Sequence, residues 1–383
     1  MVAARLRDIP PTIFGEMTAL ALRTGAVNLG QGFPDADGPA EALAAAERAL
    51  GGGHNQYPPG RGTPALRAAV AAHQARHYGL ALDPDTEVVV TTGATEAIAA
   101  AVLGLVEPGD EVIMLEPFYD SYPAMVRIAG GVRRPLTLAA PDFRLDVAAL
   151  RAAVTDRTRM VLLNTPHNPT GAVLTRDELA AIADVAIEHD LVVVSDEVYE
   201  RLTYGVPHTP VATLPGMRER TLTISSIGKS FSFTGWKIGW ASGPAHLVDA
   251  VYAAKQWLTF TSGGPLQPAA AYALGELDAW PAQLADELRE RRDLLVDGLN
   301  EVGLPTRAPE GTYFAISDIG GLGWRDGLAF CHALPERAGV VAIPLQVFHD
   351  SDAGDQLVRW AFCKRPEVLA EALRRLGAAD LRA

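Results

Sequence analysis

Five short apolar runs, "EVVVTTG", "EVIMLEP", "RMVLLNTP", "LVVVSDE" and "TLTISS", recur between Ala/Leu/Glu/Arg-rich helical stretches through the middle of the chain. Each is almost wholly aliphatic or β-branched until its C-terminal end, where polar residues gather. A strand that is apolar on both faces has to be covered on both, as in a parallel sheet between helical layers; a half-wetted antiparallel strand would alternate instead. The expected fold is α/β with a mostly parallel central sheet. In such sheets ligands bind beyond the carboxyl ends of the strands, so the polar residues at those ends are the first candidates for chemistry.

The pattern changes near Asp286. A long charged helical stretch ("DELRERRDLLVDGLNEVG") is followed by short strands near "GTYFAIS" and "VVAIP" and a closing helix after Pro366. A chain of 383 residues exceeds what one core usually supports. The expected division is an N-terminal arm over 1–40, a large domain over 41–285 and a smaller α+β domain over 286–383. The arm, rich in Gly and Pro ("NLGQGFPDADGP"), is expected to be extended and to pack with the small domain. No internal repeat and no Ser/Gly linker separates the parts, so a shared site between packed domains is expected.

A net charge of −13 and the lack of a basic stripe argue against a nucleic-acid partner. The two cysteines, Cys331 and Cys363, lie far apart without metal-ligand spacing, so neither a disulfide framework nor a metal site is expected. The start "MVAARLRDIPPTIFGEM" has no apolar leader core, and the run from Ala97 to Val106 is too short to span a bilayer. A soluble, cytoplasmic protein fits these features.

The strand ends hold the chemistry. "SSIGKSFSFTGWKIGW" follows one run and carries two lysines, Lys229 and Lys237, the second able to depress the pKa of the first. "VVVSDEVYE" places Asp196 and Tyr199 after another, where a buried acid needs a cationic partner. "NTPHNPTG" supplies Asn164 and Asn168. "TTGATEA" is a small-residue turn opening a helix near Glu96, whose free amides suit a phosphate, although neither GxGxxG nor GxxxxGK[ST] is present. Singly these are ordinary loop features. Together they offer an amine nucleophile, an acid for a ring nitrogen, Asn and Tyr for a phenolic oxygen, and amides, Ser226 and Lys237 for a phosphate. Pyridoxal 5′-phosphate carries all of those groups.

The order "GATEA", "EPFYDSY", "NTPHNPTG", "DEVY", "SSIGKSFSFTGWKIGW" and "VRWAFCK" resembles the class I/II aminotransferases of pyridoxal-phosphate fold type I over nearly the whole chain. "NLGQGFPD" and "NQYPPGRG" resemble the branch of the kynurenine, glutamine and methionine aminotransferases and the actinobacterial N-succinyldiaminopimelate aminotransferases. The resemblance implies that Lys229 bonds the cofactor aldehyde and then serves as general base and acid. It implies Asp196 at the pyridine nitrogen, Asn168 and Tyr199 at the ring oxygen, and Tyr119 stacked on the ring. Gly93, Ala94, Thr95, Ser226 and Lys237 would hold the phosphate, with Lys where many relatives have Arg. Tyr57 would reach the phosphate of a neighbouring subunit, which implies a homodimer. Arg359 would bind the substrate α-carboxylate, assisted by Gly32 and Asn168. Pro117 and Pro169 match cis prolines of the family.

The implied activity is ping-pong transfer of an amino group from an amino acid to a 2-oxo acid, with 2-oxoglutarate as the expected acceptor. Thr95, Ser262 and Gly263 are small where kynurenine- and glutamine-type members are bulky. That favours N-succinyl-LL-2,6-diaminopimelate as donor, and hence lysine biosynthesis, over a kynurenine-, glutamine- or methionine-type activity. The same residues would also serve a C–S β-lyase.

Overall fold

The computed structural model describes every residue except Met1 and Asp8. Twelve strands are formed among the described residues: β1 (Val27–Asn28), β2 (Val88–Thr92), β3 (Glu111–Glu116), β4 (Val132–Thr137), β5 (Thr158–Asn164), β6 (Val192–Asp196), β7 (Thr221–Ser226), β8 (Ile238–Ser242), β9 (Phe314–Asp318), β10 (Val340–Val341), β11 (Ile343–Pro344) and β12 (Leu357–Ala361). Seven of them make the central sheet in the order β2-β8-β7-β6-β5-β3-β4. Only β8 runs against the others. The five apolar runs of the sequence are β2, β3, β5, β6 and β7, and β3 and β7 are buried at every position.

Alternation within the runs decides which layer each side chain joins. On β3, Val112 and Met114 enter one apolar cluster with the helices Gly93–Leu105 and Ala245–Leu258, while Ile113 and Leu115 enter another with the helix Arg176–Glu188. On β5, Met160 and Leu162 are set against Val161 and Leu163 in the same way. This two-sided burial keeps the strand interiors largely apolar, with buried Thr223 in β7 an exception, and gathers most polar side chains at the ends.

Two small sheets complete the fold. β9, β12 and β11 pair antiparallel, with Arg359 on β12 opposite Ile316. β1 pairs parallel with β10, tying the N-terminal segment to the C-terminal part of the chain. That segment is not simply extended: Ile13–Thr24 is a helix ended by Gly25 in the left-handed region. Its buried side chains, Ile13, Met17, Leu20 and Ala21, recur at helical spacing and join the same apolar cluster as β10 and β11. The Gly and Pro that suggested an extended arm lie after this helix, in 30–39. Among the described residues no helix is long and apolar enough to cross a membrane.

Candidate active site

The carboxyl ends of the strands open on a cavity of about 150 Å³ lined by Gly93, Ala94, Thr95, Tyr119, Asn168, Asp196, Tyr199, Ser226, Lys229 and Lys237, together with Tyr122, Asn164 and Phe233. The sheet order explains the meeting. β2, β3, β5, β6 and β7 all end at this edge, and the antiparallel β8 begins there. Leaving β7 at Ser226, the chain makes one helical turn, Ile227–Ser230, and re-enters as β8 from the same edge, so both lysines of "GKSFSFTGWK" face one cavity.

At one end of the cavity the helix Gly93–Leu105 begins with Gly93 at φ 71°. A Cβ on Gly93 would lie 3.2 Å from the Lys237 Nζ, and one on Gly239 would lie 2.6 Å from the Gly93 carbonyl carbon. Glycine at 93 therefore meets both a backbone angle that other residues adopt with strain and the close approach of a cation. First-turn amides of a helix and an ammonium beside them form a site for an anion.

At the other end, Asp196 is buried, and burial pushes its carboxyl up to about 6 against the pull of a Tyr122 hydrogen bond, the Val198 amide and Lys229. Tyr122 donates from its hydroxyl to Asp196 Oδ2 at 2.6 Å. Asn164 braces the loops on either side: Nδ2 donates to the Asp196 carbonyl at 2.7 Å, and Oδ1 accepts from the Asn168 amide at 2.6 Å. Between the two ends, burial lowers Lys229 to about 8, with Lys237 and Arg359 acting in the same direction. Its Nζ donates to Tyr313 at 3.1 Å, and the Tyr313 hydroxyl donates in turn to the Gly32 carbonyl at 2.7 Å. An amine with a pKa near 8 is partly neutral at physiological pH, which a nucleophile or base requires.

Arg359 stands beside the cavity, reaching Asn168 Oδ1 with Nη1 and the Gly30 carbonyl with Nη2, both at 2.9 Å. It lies over the Phe314 ring at 4.0 Å from the centroid, and its buried Nε has no protein partner. Burial lowers it to about 10, so it stays cationic. Gly32 has no room for a side chain, since a Cβ there would sit 2.5 Å from the Phe314 ring. Tyr57 is apart from this group: its ring is exposed and packs edge-on against Phe260. Pro117 and Pro169 both follow cis peptide bonds, as do Pro141 and Pro166.

Tyr122 and Tyr313 were not among the site residues expected from the sequence, and Asn164, noted at a strand end, was given no role there. Tyr122 follows Tyr119 by three positions in "EPFYDSY", so both emerge at the start of one helix, Ser121–Ala129. Tyr313 lies in "GTYFAIS", read from the sequence only as a short strand.

Two further features are not part of this chemistry. A larger cavity, about 670 Å³, is lined by residues 140–144, 170–172 and 305–310, and its arginines are already neutralised: Arg144 by Glu310 and Arg307 by Asp142. His73, His77 and Asp278 bring ligand atoms within 4.8 Å of one another, but Arg201 Nη1 lies 2.7 Å from His77 Nε2 and 3.3 Å from Asp278 Oδ1. The guanidinium fills the place of a cation there.

The family model for aminotransferase class I and II matches residues 24–376. The chain belongs to the class I and II aminotransferases. This aminotransferase is 55% identical over 98% of its length to a probable N-succinyldiaminopimelate aminotransferase of Mycobacterium tuberculosis, covering 98% of that protein. It is 40% identical to a methionine aminotransferase of Escherichia coli, with 97% of each chain covered. The solved structure of the N-succinyldiaminopimelate aminotransferase from Mycobacterium tuberculosis superposes with a TM-score of 0.97, over 99% of this chain and all of that one, at 56% identity. An aspartate aminotransferase from Thermus thermophilus superposes at 0.92 and 35% identity, over 99% of each chain. The chain is thus a transaminase with the α/β architecture of that family.

Proposed function

We propose that this aminotransferase uses pyridoxal 5′-phosphate to transfer the amino group of N-succinyl-LL-2,6-diaminopimelate to a 2-oxo acid, 2-oxoglutarate being the expected acceptor, in lysine biosynthesis. The observation that carries the reading is the cavity that joins an amine of lowered pKa, a buried carboxylate and a glycine-opened helix with a cation beside it. These groups fit the cofactor's aldehyde, ring nitrogen and phosphate in turn. When bound, it supplies an aldehyde to take the amino group and a ring to accept the electron pair of the broken Cα–H bond.

The chain's own residues then divide the work. Gly93, Ala94, Thr95, Ser226 and Lys237 would hold the phosphate, Asp196 the ring nitrogen, Asn168 and Tyr199 the ring oxygen, with Tyr119 against the ring face. Arg359, its guanidinium set by Asn168 and the Gly30 carbonyl, binds the α-carboxylate of amino acid and oxo acid alike. Lys229 Nζ takes the α-proton of the amino acid and is the group that returns one, and Tyr313 holds that amine in place between proton transfers.

The donor is argued from space. Thr95 lines the cavity, and a Cβ at Gly263 would be 2.2 Å from Cδ1 of Ile238, which also lines it. A side chain at 263 would collide with Ile238, so we read the glycine there as keeping room for a long substrate, in agreement with the name of the 55% identical relative. The partner is a second copy of the chain: Tyr57 and Phe260 are exposed and pack against each other, Trp257 is exposed three residues before Phe260, and exposed aromatics of that kind mark an interface.

The test is a half-reaction screen. Loss of the bound cofactor's visible absorbance is followed after mixing with N-succinyldiaminopimelate, kynurenine, glutamine, methionine or glutamate. The succinylated donor is expected to react fastest by a wide margin. Faster reaction of kynurenine, glutamine or methionine would refute the donor assignment.

A further inference from the structure

Tyr122 lines the cavity, yet none of the roles above uses it. It is 3% exposed, and its hydroxyl is the only side-chain donor to the Asp196 carboxylate among the described residues. The bond, 2.6 Å to Oδ2, is matched by one from the Val198 amide to Oδ1 at 3.2 Å. One donor on each oxygen fixes the plane of the carboxylate and still leaves acceptor positions free toward the cavity. Burial and the neighbouring Asp196 push the Tyr122 phenol far above its ordinary value, so it remains a donor at any working pH.

The other groups facing Asp196 do not replace this bond. Lys229 acts on it as a charge, while Glu197 disfavours its ionised form. Burial keeps the phenols of Tyr119 and Tyr199 protonated, and neither bonds the carboxylate.

We propose that Tyr122 is a positioning residue for the transamination, holding Asp196 ionised and turned toward the cofactor's ring nitrogen. This rests on the cofactor assignment above. Without the hydroxyl, a carboxyl that burial already raises to about 6 rises further, and its neutral form becomes populated near pH 7. A neutral Asp196 cannot favour a protonated pyridine ring.

The test measures pyridoxal 5′-phosphate affinity of the cofactor-free protein across pH, for the wild type, Tyr122→Phe, Asp196→Asn and the double variant, with thermal unfolding as the check on folding. Tyr122→Phe is expected to bind about tenfold more weakly at neutral pH, the worth of one hydrogen bond to a charged group, and to move the acid limb of the affinity profile up by about one pH unit. In the Asp196→Asn background the same substitution is expected to change affinity less than about twofold, because there is no charge left to hold. An unshifted acid limb, or an equal loss in both backgrounds, overturns the proposal. Should Tyr122→Phe not fold, 3-fluorotyrosine at position 122 keeps the shape and donates more strongly, so the limb must move down; a limb that stays put is equally fatal. A wild type that does not bind pyridoxal 5′-phosphate at all would instead remove the cofactor assignment, and this proposal with it.

Discussion

In the role proposed for it Lys229 must be neutral to react, and burying the amine favours the neutral form at a cost in stability. Its pKa falls to about 8, chiefly through burial, from an ordinary value of 10.5. Between those two pH values the unfolded chain holds more protons than the folded one, so the stability of the cofactor-free protein rises with pH across that window; below it the buried ammonium is a constant burden. Replacing Lys229 with Met is expected to abolish turnover and, in the cofactor-free state, to raise stability near pH 7 by about 2 kcal/mol, discounted because the side chain is partly open to the cavity. Thermal unfolding should show the gain fading toward pH 10. A gain that stays constant with pH would refute the burial account. Lys229, Asp196 and Arg359 were legible because their chemistry is carried by residue type and by neighbours in the chain. Tyr122 and Tyr313 were not: Tyr122 bonds a residue 74 positions away and Tyr313 one 84 away, and nothing local in the sequence gives those distances.

Among the elements, the parallel strands were readable because burial on both faces leaves an uninterrupted apolar run. β8 was not picked out as a strand, although its direction is what returns Lys237 to the edge where Lys229 stands. Its sequence, "IGWAS", is short and includes a glycine whose missing side chain lets the helix start at Gly93 approach. β4, "VRRPLT", is an edge strand carrying two arginines, Arg133 exposed and Arg134 paired with Glu111, and so has no apolar run to show. The joint between β3 and the C-terminal part of the chain was hidden for a different reason. Glu116 ends β3 and is almost wholly buried, accepting bonds from the Thr137 hydroxyl, the Asp350 and Ser351 amides and the Ser351 hydroxyl. Burial alone would raise its carboxyl, but these donors outweigh it and hold the group below its ordinary value. The sign follows: the carboxylate stabilises the fold above its unfolded pKa, and the contribution is lost as pH falls through the folded one. Glu116→Gln should therefore lower stability by about 2 kcal/mol at neutral pH, with the difference from wild type shrinking in acid. Denaturant unfolding at neutral and acid pH would check this, and an equal deficit at both would point to packing rather than charge.

At the scale of the whole molecule, two neighbouring segments, 54–61 and 257–264, present large aromatic side chains to solvent. Trp257 is 84% exposed and Tyr57 82%, with Phe260 edge-on against Tyr57. This face is also rigidly built. The buried Lys255 amine donates to the Gly60 carbonyl at 3.1 Å and to the Phe260 carbonyl at 2.8 Å, clamping the two loops that present the aromatic rings. Clamped loops with exposed aromatics are costly in a monomer and suit a partner that buries them. The expected partner is a second copy, with Tyr57 directed at its phosphate site. Trp257→Glu replaces the most exposed of these rings, in the last turn of the helix Ala245–Leu258, with a charge that is costly to bury against a second copy. Sedimentation equilibrium is expected to give twice the chain mass for the wild type and the single-chain mass for Trp257→Glu, with thermal unfolding confirming that the monomer is folded. The monomer should also bind pyridoxal 5′-phosphate more weakly, because each site then lacks the neighbour's Tyr57, and Tyr57→Phe in the intact dimer should reproduce that weakening without changing the mass. A wild type that sediments as a single chain and binds the cofactor fully would refute the shared site.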